Sequence, residues 1–215
     1  MATDESGNAI VAWEDYRNGN GDIFAQKLDV SGNRLWAMDV RVNLDTGSAN
    51  QWSVTVAADS NGNTVVAWMD NRSGDDDIYA QKLDTSRNKL WATDVRVNSD
   101  SGTARQWEPA IAIDQGGNSV IVWYDDRNGD YDIYVQKLDK NGNRLWMSEV
   151  RVNSDSELAT QVAPAVAVDT NGNAVVVWDD RRYRNEGIYA QRLNVSGNRL
   201  WAVEVRVNSD NVSSE

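Results

Sequence analysis

The chain is four in-register copies of one 55-residue unit, with no insertion or deletion between them. Trp13, Trp68, Trp123 and Trp178 mark the period, as do Trp36, Trp91, Trp146 and Trp201, and Asp15, Asp70, Asp125 and Asp180. Identical spacing makes each unit one supersecondary module, whose apolar face is covered by the next copy. It also sets a rule for reading function. A residue present in every unit is structural by default, and a residue that breaks the repeat is a candidate for chemistry.

The third unit shows the local pattern. Pro109–Asp114 is a short apolar run suited to a buried inner strand, and Asp114-Gln-Gly-Gly-Asn118 is a turn rich in residues that accept positive φ. Ser119–Trp123 is β-branched and aromatic, and reads as a second strand. Asp125–Tyr131 is a polar hairpin loop, and Asp132–Leu138 alternates as a third strand. A second turn, Asp139–Asn143, leads to Arg144–Trp146 and Val150–Asn153, which carry the fourth strand around a bulge. No segment has helical periodicity. The fold expected is all-β, a β-propeller of four 55-residue, four-stranded antiparallel blades. It forms a single repeat domain over 1–215, with units at about 1–55, 56–110, 111–165 and 166–215.

The signature Trp-x-Asp-x-Arg, a glycine-containing loop, then Asp-Ile-Tyr-x-Gln stands at Trp68–Arg72 with Asp77–Gln81, and at Trp123–Arg127 with Asp132–Gln136. It resembles the repeats of TolB-type propellers and of tandem propeller modules in secreted bacterial surface proteins. The resemblance implies a propeller at the cell surface or outside the cell. A looser similarity to sialidase-like propellers lacks their Asp-box, and no single-copy arginine cluster or tyrosine nucleophile can be matched to theirs.

Composition narrows the chemistry. Lys+Arg is 21 against Asp+Glu 33, a net charge of -12, so a phosphate backbone would be repelled and nucleic acid is not an expected partner. Cysteine and histidine are absent, which excludes disulfides, thiolate nucleophiles and Ser-His-Asp triads within this chain. No apolar run is long enough to span a membrane, so no insertion is expected. Hard cations remain compatible with the acidic loops, and calcium is the one cofactor expected as an option. Its ligands would be Asp75, Asp76 and Asp77 in one loop and Asp130 and Asp132 in the next.

Departures from the repeat supply the other candidates. Trp52 and Trp107 are replaced by Val162 in the last unit, and each stands next to a repeated glutamine, Gln51, Gln106 or Gln161. A tryptophan beside an amide suits sugar stacking. The fourth hairpin loop carries Arg181, Tyr183 and Arg184, a basic, aromatic spot able to hold a carboxylate or sulfate. The repeated Asp/Arg pairs are read as structural.

The expectation from sequence is therefore a non-catalytic, lectin-like binding module of a secreted or cell-surface protein, taking glycan or protein through its loops and central pocket. One alternative is an assembly module that pairs through its terminal blade edges. A second is a sialidase-like glycosidase fragment.

Overall fold

A computed structural model describes residues 1–100, 102–154, 159–182 and 186–209. Blade 1 holds β1 (Ala2–Thr3), β2 (Ala9–Asp15), β3 (Asp22–Leu28) and β4 (Val40–Arg41). Blade 2 holds β5 (Gln51–Ala58), β6 (Thr64–Asp70), β7 (Asp77–Leu83) and β8 (Val95–Arg96). Blade 3 holds β9 (Gln106–Ile113), β10 (Ser119–Asp125), β11 (Asp132–Leu138) and β12 (Val150–Arg151). Blade 4 holds β13 (Gln161–Val168), β14 (Ala174–Asp180), β15 (Gly187–Leu193) and β16 (Val205–Arg206). Each is an antiparallel meander in chain order, and the first strands β5, β9 and β13 pack side by side around the axis. This is the propeller expected.

The turns form for a local reason. Asp59 Oδ1 accepts the backbone N–H groups of Asn61 and Asn63, while Asn63 Nδ2 donates to Asp59 Oδ2 at 3.0 Å. The two bonds from the asparagine recur at Asp114, Asp139 and Asp169. The fourth position needs left-handed backbone, and Gly62 has φ +76°. Asp59, Asp114 and Asp169 also pair with Lys82, Lys137 and Arg192.

The Trp-x-Asp-x-Arg signature is one hydrogen-bonded stack. Trp68 Nε1 donates to Asp70 Oδ2 at 3.0 Å, and the backbone and guanidinium of Arg72 donate to the same carboxylate at 2.9 and 2.5 Å. The guanidinium then lies 4.4 Å from the centre of the Tyr79 ring. Burial alone would raise the carboxyl of the equivalent Asp180, but hydrogen bonds from Arg182 and Trp178 outweigh it and hold the group below the usual range. The repeated Asp/Arg pairs are structural.

The fourth strand is shorter than expected, two residues in every blade. A side chain takes over the ladder. Gln81 Oε1 accepts Trp91 N–H at 3.2 Å, and its Nε2 donates to Trp91 C=O at 3.3 Å, so the amide imitates a neighbouring backbone.

Blades meet face to face. Val65, Ala67 and Met69 of blade 2 pack against Ile121 and Trp123 of blade 3, and Ile10 and Ile23 of blade 1 against Val66 and Trp68 of blade 2. Trp68, Trp123 and Trp178 are buried, each worth roughly 4–6 kcal/mol gross at about 25 cal/mol per Å². Blade 4 makes no comparable contact with blade 1 among the described residues. The four blades form an open arc, and β1 is only the second half of an inner strand.

Candidate functional site

Blade 3 differs from its sisters at one end of the axis, where the inner strand begins. Tyr124 stands where the other units have Glu14, Met69 and Asp179, and Tyr131 where they have Gly21, Asp76 and Glu186. Glu108 replaces Ser53 and Ala163. With Trp107 these departures converge. The Trp107 ring lies 5.4 Å from Tyr124, nearly parallel, and 5.1 Å from Tyr131, edge-on, and the two tyrosines are 5.3 Å apart. All three rings are half-buried, leaving surface for a ligand.

Glu108 is carried on the bulge that shifts the β9–β10 register between Val122 and Tyr124. Its φ is +49°, a left-handed backbone costing about 1–2 kcal/mol for a residue with a Cβ. Ser53 and Ala163 share this geometry, so the strain belongs to the fold and the carboxylate to blade 3 alone. Glu108 is exposed. It lies near enough to Tyr124 to help push that phenol up to about 12, after burial and ahead of Tyr131.

The hairpin of blade 2 that carries Asp76 abuts the start of β9. Gln106 N–H donates to Asp76 C=O at 2.8 Å, which fixes the end of that hairpin one residue from Trp107. Burial raises the Asp76 carboxyl, Arg105 opposes the shift, and Asp75 and Asp77 reinforce it. The site thus combines an aromatic platform and an exposed carboxylate, with Asp76 on the adjoining hairpin of blade 2.

Of the residues singled out from sequence, Trp107 is at the centre of this site. Trp52 is half-buried and packs into the core between blades 2 and 3. The three glutamines are buried in hydrogen bonds between blades. Gln106 is buried, its Oε1 accepts Asn98 Nδ2 at 2.8 Å, and its Nε2 donates to Ala104 C=O and Asp125 at 2.9 and 3.0 Å. Gln51 and Gln161 are likewise buried and accept from Asn43 and Asn153, each at 2.8 Å. Their amides stitch one blade to the next. Arg181 is exposed and pairs with Glu186 at 3.4 Å, while Tyr183 and Arg184 lie outside the described residues.

The aspartates proposed for calcium are divided among other partners. Asp77 takes Arg96 at 2.5 Å and Asn98 at 2.8 Å, and Asp132 takes Arg151 and Asn153 at 2.5 and 2.7 Å. Asp130 accepts Tyr131 N–H and the Thr160 hydroxyl at 2.8 and 3.0 Å. Asp75 is half-buried. Among the described residues no three acidic side chains converge on one point.

No protein-family model matches the chain, and no curated protein matches it. Solved structures do. An α-L-arabinanase of Penicillium chrysogenum, complexed with arabinobiose, superposes at TM-score 0.62 and 14% identity, over 94% of this chain and 64% of its own. An α-L-arabinofuranosidase of Fusarium graminearum, bound to an iminosugar inhibitor, gives 0.60 at 12%, over 96% and 65%. The endo-arabinase of Bacteroides thetaiotaomicron gives 0.52 at 15%, over 93% and 81%. The chain thus spans a little under two thirds of the length of the first two. At such identities the likeness is one of fold, and it supports a propeller without supporting the TolB-type resemblance. It also corrects the expectation of a non-catalytic binding module, because the proteins of known activity named here are glycoside hydrolases.

Proposed function

We propose that the chain is a carbohydrate-active propeller of the glycoside hydrolase type, acting on arabinose- or galactose-containing oligosaccharides outside the cell. The observation that carries the reading is a single-copy carboxylate, Glu108, exposed beside the Trp107 ring in a chain where nearly everything else recurs. The arabinanases and an exo-β-1,3-galactanase of the same fold support the substrate class.

In this reading a sugar ring stacks on Trp107, with Tyr124 and Tyr131 closing the side of the platform. Asp76, whose carboxyl burial shifts upward, donates a proton to the glycosidic oxygen as the bond to the anomeric carbon breaks. A water attacks that carbon from the other side of the ring and gives its proton to the exposed Glu108 carboxylate, which completes hydrolysis.

The test is hydrolysis of linear arabino- and galacto-oligosaccharides by the purified chain, with products resolved by anion-exchange chromatography. Glu108→Gln and Asp76→Asn should each lower kcat about 100-fold or more at an unchanged melting temperature. Trp107→Ala should act mainly by raising KM. Absence of hydrolysis on every substrate, or full activity in Glu108→Gln, would remove the reading.

A further inference from the structure

Arg105 breaks the repeat beside the site, and its side chain makes no bond in the fold. Asn50 and Thr160 stand at the same position in the neighbouring units, so a cation here belongs to blade 3. The backbone around it is fixed. Arg105 N–H donates to Asp126 Oδ1 at 2.9 Å, Gln106 N–H to Asp76 C=O at 2.8 Å, and the Gln106 amide to Ala104 C=O at 2.9 Å. Asn50 N–H makes the first of these bonds to Asn71 Oδ1, also at 2.9 Å, so that anchor needs no guanidinium.

The guanidinium itself is uncommitted. Every other described arginine pairs with a carboxylate or donates to a carbonyl oxygen. Arg105 is exposed, and its side chain has no hydrogen bond or ion pair among the described residues. Its charge reaches Asp76, whose carboxyl is raised by burial and pulled back by Arg105, but the two groups form no pair among the described residues. A free arginine is an exception in a chain where 33 acidic side chains compete for 21 basic ones.

Its place says what it meets. Arg105 stands two residues before Trp107, at most about 7 Å along extended chain, and Glu108 directly follows Trp107. The aromatic platform is flanked in sequence by an unpaired cation and a single-copy carboxylate. We propose, resting on the reading of this platform as a sugar site, that the sugar unit next to the one stacked on Trp107 is anionic and that Arg105 binds its oxyanion. A guanidinium presents parallel N–H donors that match the paired oxygens of a carboxylate or a sulfate, and it is hydrated weakly enough to exchange water for them. A uronate unit and a sulfate ester both offer those oxygens. Glu108 sets the polarity, because it repels the same oxyanion and leaves the charged unit on the Arg105 side.

Isothermal titration calorimetry on Glu108→Gln, which keeps the sugar intact, tests this with three probes of equal length. One is a neutral arabino-oligosaccharide, one carries a glucuronate unit, and one carries a sulfate ester. At least one anionic probe should bind about 10- to 100-fold tighter than the neutral one, the range of a hydrogen bond to a charged group, and which one does so identifies the oxyanion. Adding Arg105→Gln should erase the preference and leave the neutral affinity within about 2-fold. Arg105→Lys should restore only part of it, because an ammonium cannot make the paired bonds. Neither substitution removes a side-chain bond, so the melting temperature should not move. Equal affinity for all three probes, a preference that survives Arg105→Gln, or no binding would overturn the inference. The hydrolase reading fails separately. Anionic binding that depends on Arg105, with no cleavage of any probe by the wild-type chain, would remove catalysis and keep the charged subsite. Cleavage of the neutral oligosaccharide with no preference for charge would do the reverse.

Discussion

The same substitution at equivalent positions should have unequal cost, because the blades are equal in sequence but not in what covers them. Trp123 is fully buried between blades 2 and 3, stacked on Tyr134 at 6.4 Å and bonded to Asp125 at 3.4 Å. Trp13 has the same stack, on Phe24 at 6.4 Å, and the same bond, to Asp15 at 3.1 Å, but no blade lies over it. Trp123→Ala removes the whole ring from a closed interface and should cost about 3–5 kcal/mol. Trp13→Ala forfeits only the buried part of the ring, about 1.5–2.5 kcal/mol at 25 cal/mol per Å². Urea unfolding, read by circular dichroism at the lowest workable concentration, would give both values from the shift in midpoint at constant slope. Equal losses at the two positions would refute the reasoning, since the first face would then be as covered as the second. Loss of a single transition in Trp13→Ala would instead show the end blade unfolding by itself, as repeat arrays permit.

Other consequences follow from particular residues. Arg87 holds φ +72° at the turn position that the other blades give to glycine, so Arg87→Gly should raise stability by about 1 kcal/mol in the same urea assay. Gln106→Leu leaves Asn98 and Asp125 short of partners in a buried network, and should cost about 2–4 kcal/mol although no hydrophobic contact is lost. Acid should unfold the protein in a defined window. Burial would raise Glu149, but Ser99 and Arg127 bring it below its ordinary value, and Asp4, despite burial, is held at about 2 by Lys27 and Asn8. Groups depressed in the fold bind fewer protons folded than unfolded, so their contribution is complete above about pH 5 and is lost as pH falls toward 2. Melting temperature measured from pH 8 to pH 2 should be flat at first and then drop steeply below pH 4.

The period made the architecture legible, since strand order, turn chemistry and the stacking of Trp, Asp, Arg and Tyr are all written four times. What the pattern hid was the work of polar side chains at depth. Gln81 replaces backbone in the fourth strand, and Gln106 joins Asn98 to Asp125 across blades, and nothing in local sequence separates such an amide from a surface one. Gln51, Gln106 and Gln161 looked like ligand groups for that reason. The candidate site was half visible. Trp107 broke the repeat openly, whereas Glu108, Tyr124 and Tyr131 broke it only when the four units were laid in register. Asp76 was noticed as a calcium ligand, and the contact of its backbone with Gln106 comes from a bond between blades that no single unit contains. The open ends were equally out of reach, because exposure of Ile188 and Val207 depends on whether a neighbouring blade is present.

The central claim is that the mouth of blade 3 holds a sugar for cleavage between Asp76 and Glu108. The most direct measurement is a crystal structure of Glu108→Gln soaked with a linear arabino-oligosaccharide. The account predicts one furanose ring stacked on Trp107, with the glycosidic oxygen within hydrogen-bond reach of Asp76. A sugar bound elsewhere, or an empty mouth at saturating ligand, would contradict it.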